Sequence, residues 1–281
     1  MKKDSVYLER NKGRKLFLRT WKPDNTNTKL KGIVLIAHGY AEHSDRYNYT
    51  AKYFTDNNYA VYAPDHYGHG RSEGVKADVP DFRIFVEDLF GVLSKIESTE
   101  KDIPIFLLGH SMGGAISTIL ASSAGNSLKG LILSGASIRI DGDVSNFVKS
   151  ISKIIALIAP YLPLVDFAVE GISKDPEVVE AYKNDPYNYN GKVRARMGRE
   201  MLRSEELITE QLLSKISIPT LILHGEKDPL VNTECSQIIY SNISSKDKEI
   251  NILDNLYHEI LNEPEKDEVL DLIGKWLDIR N

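Results

Sequence analysis

The sequence predicts an α/β protein with a mostly parallel central sheet, helices on both faces and an inserted helical cap. Three observations predict it. Short, continuously apolar runs such as residues 32–37 and 105–108 read as strands buried on both faces. These runs alternate with stretches of helical periodicity, the pattern of parallel strands joined by crossover helices. From 141 to 205 the alternation stops, and only helical stretches broken by Pro160, Pro163, Pro176 and Pro186 remain. The chain therefore divides into a first core part (1–140), the cap (141–205) and a second core part (206–281).

In order along the chain, residues 5–9 and 15–21 read as a hairpin joined by a turn at Arg10–Arg14. The buried strand 32–37 follows, then a helix from near Ser44 and a strand at 59–63. Residues 81–98 carry Phe82, Phe85, Val86, Leu89 and Leu93 on one helical face. A strand at 105–108, a helix from Ala115 to Ala121 and a strand at 128–134 come next. No strand is predicted within the cap. Beyond it the core pattern resumes with a strand at 218–224, a helix from Thr233, a strand at 249–253 and a closing helix from Glu263.

The balance of 35 basic and 40 acidic residues leaves a net charge of −5, which offers no general basic surface and excludes nucleic acid as a partner class. Hydrophobic content of 42% and charged content of 27% are those of a globular domain rather than a membrane-spanning or disordered one. The single cysteine, Cys235, forms no internal disulfide and fits a reducing compartment. No apolar core follows Lys2 and Lys3, so no signal peptide is read there and a cytoplasmic location is expected.

The chemistry-bearing stretch is Gly109-His110-Ser111-Met112-Gly113, a G-x-S-x-G string between an apolar strand and a good helix. Such a turn exposes the serine hydroxyl and aims the next backbone N–H at the reacting oxygen. Gly70-Arg71-Ser72-Glu73-Gly74 fits the same expression but lies between turn-rich and loop-like segments, so Ser72 reads as a loop serine. Ser111 is the expected nucleophile.

A serine hydroxyl needs a base, and the base needs a carboxylate to orient and stabilise it. With a nucleophile elbow the order along the chain is Ser, Asp or Glu, then His. Of the seven histidines, only His224 and His258 follow Ser111 with a further residue between. His224 has no acid at a strand end before it outside the cap. His258 has Asp228, in the loop after a buried strand, so Asp228 and His258 are the expected partners, with Glu226 and Asp254 as other possible acids. The oxyanion requires two donors, and the backbone N–H groups of Met112 and Tyr40 are expected to supply them, with Gly39 allowing close approach. His38, His43, Asp65, His66 and His69 match no metal-ligand spacing, so neither a metal nor another cofactor is expected.

Taken in series, the motifs at His38–Tyr47, Asp65–Gly74, Gly109–Gly114 and Gly225–Asp228 resemble the monoacylglycerol lipase and lysophospholipase group of α/β-hydrolases. The resemblance spans nearly the whole chain. It implies the α/β-hydrolase fold, a helical cap over an acyl tunnel and hydrolysis of single-chain glycerol esters. It also implies that Glu42, Arg46 and His110 help form a polar pocket near the glycerol, with Tyr182 beside it in the cap. Leu261 stands where animal members often carry a second histidine.

The cap fits a lipid-like substrate on physical grounds too. Phe147, Val148, Ile151, Ile154, Ile155 and Ile158 fall on one helical face, with Lys149 and Lys153 on the other. That face suits an acyl tunnel, peripheral contact with a membrane, or plain packing on the core. Arg194, Arg196, Arg199 and Arg203 suit either a lysophospholipid phosphate or a solvated helix face. The expected activity is therefore serine carboxylic-ester hydrolysis of monoacylglycerols or similar esters. A lysophospholipase, a proline iminopeptidase-like peptidase and a non-catalytic binding protein on the same scaffold are the other readings.

Overall fold

The computed structural model describes residues 1–24, 29–139 and 146–281. The first core part supplies β1 (Lys2–Glu9), β2 (Lys15–Lys22), β3 (Gly32–Ala37), α1 (Asn48–Asp56), β4 (Tyr59–Pro64), α2 (Arg83–Thr99), β5 (Ile105–His110), α3 (Met112–Ala124) and β6 (Gly130–Ser134). The middle segment carries α4 (Asn146–Ile158), β7 (Pro163–Val165), α5 (Pro176–Asn184), β8 (Val193–Arg194) and α6 (Ala195–Leu207). The chain closes with α7 (Glu210–Leu213), β9 (Thr220–Gly225), α8 (Glu234–Asn242), β10 (Lys248–Leu253) and α9 (Lys266–Asp278).

Eight strands form one sheet in the order β1-β2-β4-β3-β5-β6-β9-β10. The β1–β2 and β2–β4 pairs are antiparallel, and every pair from β4 to β10 is parallel. This is the mostly parallel sheet that the alternation predicts.

Strand β5 shows how the sequence builds the two helical layers. Ile105 and Leu107 point to one face, where they join Leu89 and Leu93 of α2 and Ile116 and Leu120 of α3. Phe106 and Leu108 point to the other, among Phe54 of α1 and Leu270 and Ile273 of α9. The side-chain period of two is why a central strand must be apolar at every position. Each such buried side chain contributes about 1.5–3 kcal/mol relative to exposure.

Register then gathers the strand ends at one rim. Ala37 pairs with Gly109, His110 with Ser134, Ser134 with Leu223, and Gly225 with Leu253. The loops carrying Gly39, Ser111, Asp228 and His258 all leave this edge, where reactive groups of an open α/β sheet collect.

One expectation needs correction. The middle segment is not wholly helical: β7 and β8 form a separate two-stranded antiparallel ribbon. Strands of three and two residues are too short to display alternation, and Pro163 reads as a helix breaker although it fits an edge strand. The expected cap boundary at 141 and the side chains of Phe147, Val148 and Lys149 lie outside the described residues.

Candidate active site

Ser111 sits between β5 and α3 with φ 53° and ψ −119°. A positive φ in a residue with a Cβ costs on the order of 1–3 kcal/mol and persists only where the surroundings impose it. Here they do. The Ser111 N–H donates to the Ser134 carbonyl at 3.0 Å, and the Ser111 carbonyl accepts from Gly114 at 2.8 Å and Ser137 at 3.1 Å. A Cβ on Gly113 would run into the Ala37 carbonyl, and one on Gly109 into Ser117, so neither position tolerates a side chain. Ser72 is elsewhere: its Oγ accepts from the Phe17 N–H at 2.9 Å and donates to the Asp65 carbonyl, tying a loop to β2.

His258 lies in the loop after β10, buried, with Nδ1 2.6 Å from Asp228 Oδ2. Nδ1–H therefore donates to the carboxylate, which leaves Nε2 without the proton and available as a base. The other carboxylate oxygen, Oδ1, accepts from the backbone N–H of Leu230 at 2.8 Å and of Val231 at 2.9 Å. Burial pushes the Asp228 carboxyl upward, but the hydrogen bonds from His224 and His258 outweigh it and hold the group well below the usual carboxylate range. Glu226 and Asp254 are exposed, and Glu226 bonds the Asn255 N–H instead. Of the acids considered, Asp228 is the one that faces His258.

Ser111 and His258 open on one cavity of about 210 Å³. Its walls are mainly apolar, from Phe82, Ala115 and Ile138 of the core, Phe167, Val193 and Met201 of the middle segment, and Leu230 and Val231, with Ser137, Arg139, Ser204 and Glu205 as further polar lining. Tyr40 and Met112 also line it. Among the described residues nothing accepts the backbone N–H of either one, whereas the Gly39 N–H donates to Glu42 Oε1 at 2.6 Å. Two unengaged N–H groups beside a serine hydroxyl can receive a developing oxyanion.

Behind Ser111 is a buried polar network. Glu42 accepts from Gly39, from the Tyr47 hydroxyl at 2.9 Å and from Arg46 Nη1 at 2.7 Å. Arg46 also donates to both oxygens of Glu259, at 2.6 and 2.7 Å. Its guanidinium stacks on Tyr182, 4.7 Å from the ring centroid, and the Tyr182 hydroxyl donates to the Ala41 carbonyl at 3.0 Å. Burial raises the Glu259 carboxyl, but the Arg46 charge beside it overrides this and keeps it low. His110 stacks 4.7 Å from His258 and bonds the Ser134 carbonyl. Burial, and then the nearby His258, depress its ring to about 4, so it stays neutral. Glu42 thus joins Gly39 and Arg46, and Arg46 meets Tyr182, while Gly39 and His110 adjoin Ser111; the remaining bonds of the five go to Tyr47, Glu259, Ala41 and Ser134, and none of the five lines the cavity.

Sequence reasoning missed Glu259, which the fold brings to Arg46 across 213 positions with no local motif to announce it. His224, considered only as a base, instead touches Asp228, with Nε2 3.0 Å from Oδ2. The arginine run is largely occupied by partners: Arg196 pairs with Asp78, Arg199 with Glu206 and Arg203 with Asp81, while Arg194 donates to the Lys76 carbonyl. That removes the free cationic cluster a phosphate would need. His38, His66 and His69 stack as a buried aromatic group with Phe85, and no set of three or more ligating side chains among the described residues is arranged to hold a metal ion.

Residues 28–265 match the family described as serine aminopeptidase, S33. The monoacylglycerol lipase of Mycolicibacterium smegmatis is 34% identical over 265 residues, covering 94% of this chain and 93% of that protein. The human monoglyceride lipase is 32% identical over 283 residues, covering 99% of this chain and 91% of its own length. In fold, the chain superposes on a soluble variant of the Saccharomyces cerevisiae monoglyceride lipase, solved with a substrate analog, with a TM-score of 0.84 at 24% identity, covering 98% of this chain and 95% of that one.

Proposed function

This chain belongs to the serine aminopeptidase S33 family, and from that premise we propose that it hydrolyses monoacylglycerols to fatty acid and glycerol through an acyl-enzyme. The observation that carries the assignment is the cavity: mainly apolar along its walls, and lined also by Ser111 and by His258, which Asp228 backs.

In this mechanism Ser111 Oγ attacks the ester carbonyl while His258 Nε2 takes its proton. Asp228 holds the imidazole in the Nδ1–H tautomer and stabilises the imidazolium. The N–H groups of Tyr40 and Met112 receive the oxyanion. His258 then protonates the departing glycerol oxygen, and water repeats the sequence on the acyl-enzyme. Gly39, Glu42, Arg46, His110 and Tyr182 are assigned to the glycerol side, where their network adjoins Ser111.

Residues 141–205 act as the cap, since Phe167, Val193 and Met201 of that segment wall the cavity. Its outer surface exposes Leu157 by 84% and Ile158 by 77%, with Ile154, Leu164 and Val165 also open to solvent. An apolar row of this kind suits peripheral contact with a lipid surface. None of the described helices is long and apolar enough to cross a membrane. With the lone Cys235 reduced and buried, a cytoplasmic protein that visits membranes is the location assigned.

Purified protein offered a panel of monoacylglycerols, lysophospholipids and an aminoacyl anilide should prefer the monoacylglycerols, and Ser111→Ala should abolish both turnover and labelling by a fluorophosphonate. Preference for the anilide would replace the esterase assignment with a peptidase one. Leu157→Asp with Ile158→Asp should lower cosedimentation with phosphatidylcholine vesicles while leaving hydrolysis of a water-soluble p-nitrophenyl ester intact.

A further inference from the structure

Asp228 is contacted by two histidines, and only one of them faces the cavity. Its Oδ2 lies 2.6 Å from His258 Nδ1 and 3.0 Å from His224 Nε2. His224, at the end of β9, is fully buried, as is the Asp228 side chain. The same Nε2 lies 2.9 Å from the Val231 carbonyl. A ring nitrogen facing a carboxylate and a carbonyl, both acceptors only, must carry a proton. On the other side, His224 Nδ1 lies 2.7 Å from Ser236 Oγ, in α8. Among the described residues that hydroxyl has no other hydrogen-bond partner. His224 is therefore held at both ring nitrogens, with Nε2–H aimed at Asp228.

We propose that His224 is a positioning residue for the reaction: a donor, held by Ser236, that locks the Asp228 carboxylate and tempers its pull on His258. This rests on the assignment of Ser111, His258 and Asp228 as the reacting set. With Leu230 and Val231 on Oδ1 and two histidines on Oδ2, all of about four acceptor directions of the carboxylate are filled. The plane of Asp228 is thereby fixed, and with it the direction in which His258 points. The second donor also withdraws charge from the oxygen that His258 bonds. Losing it leaves more negative charge for the imidazolium, so that the neutral, working form of His258 is reached only at higher pH.

Other charged and titratable groups around His258 are His110, stacked against it, and beyond that ring Glu42, Arg46 and Glu259. The contacts of His224 are with Ser236, Val231 and Asp228 rather than with these groups, so replacing it leaves them in place.

The test compares His224→Asn with His224→Gln. The asparagine amide is too short to reach Asp228 but still meets Ser236; the glutamine amide extends to the position of Nε2. His224→Asn is expected to lower kcat/KM by about tenfold, the size of a lost hydrogen bond to a charged group. Its acid limb is expected to move upward, and His224→Gln to restore both towards wild type. Should the variants fail to fold, ¹⁵N spectra of the unmodified protein decide: His224 must keep its proton on Nε2 throughout the pH range in which activity changes. A His224 whose Nε2 carries no proton overturns the proposal, as do folded Asn and Gln variants that share the wild-type rate and limb. His258→Ala separates the two levels. Activity retained there would remove the assignment of the base itself, whereas activity lost there with His224→Asn unchanged would remove only the role given to His224.

Discussion

Filling every acceptor direction of one carboxylate makes its charge matter more than its bulk, which sets the expectation for Asp228→Asn. The variant should fold, because the amide keeps the shape, yet lose about 10³–10⁴-fold in kcat because the His258 tautomer is no longer imposed. Steady-state kinetics with a p-nitrophenyl ester would measure it, and a loss below tenfold would remove Asp228 from the mechanism. Arg46 behaves differently, as the one cation between two buried carboxylates, Glu42 and Glu259. Arg46→Met leaves both unpaired and should cost about 3–5 kcal/mol in a denaturant titration. At this scale the sequence is informative where order along the chain restricts the choice. Ser111, Asp228 and His258 are readable because an elbow serine requires an acid and then a histidine after it. Glu259 is unreadable because its only partner is set by the fold, and His224 is half-readable: its burial at a strand end is predictable, its contact with Asp228 is not.

Among the elements, apolar runs identify the central strands, and periodicity identifies α2, whose buried residues include Phe85, Leu89 and Leu93. The ribbon β7–β8 escapes because two or three residues hold no period. Also invisible in sequence is how the middle segment meets the loop after β3. Ala41, with φ 64°, offers its carbonyl to both the Tyr189 N–H at 2.9 Å and the Tyr182 hydroxyl at 3.0 Å. His43 Nε2 reaches Asp185 at 3.0 Å a few residues away. These contacts hold the 41–42 peptide and His43, two peptide units along from the one that carries the Tyr40 N–H. Tyr182→Phe should therefore lower stability by about 1 kcal/mol and reduce kcat more than it changes KM. A change confined to KM would assign Tyr182 to substrate binding alone.

Across the whole molecule, buried histidines make stability sensitive to acid. Burial above all depresses His66 to about 3 and His69 and His110 to about 4. In the unfolded chain each titrates near 6.5. Between those values the unfolded state takes up protons that the folded state refuses. Stability is thus full above about pH 6.5, falls as pH drops through the window, and stops falling from this cause below about 3–4. Urea unfolding at a series of pH values should show this decline, with a slope of up to about 1.4 kcal/mol per pH unit for each histidine. His69→Phe should make it shallower, and an unchanged slope would exclude the ring as a contributor. The double grip on Ala41 reaches furthest. Exchange of α4 and β7 leaves both of its partners in place, but a transplant that includes 182–189 carries off two struts of the floor. Diversification is accordingly expected to stop short of that stretch, and chimeras joined before it should remain active where those joined after it fail.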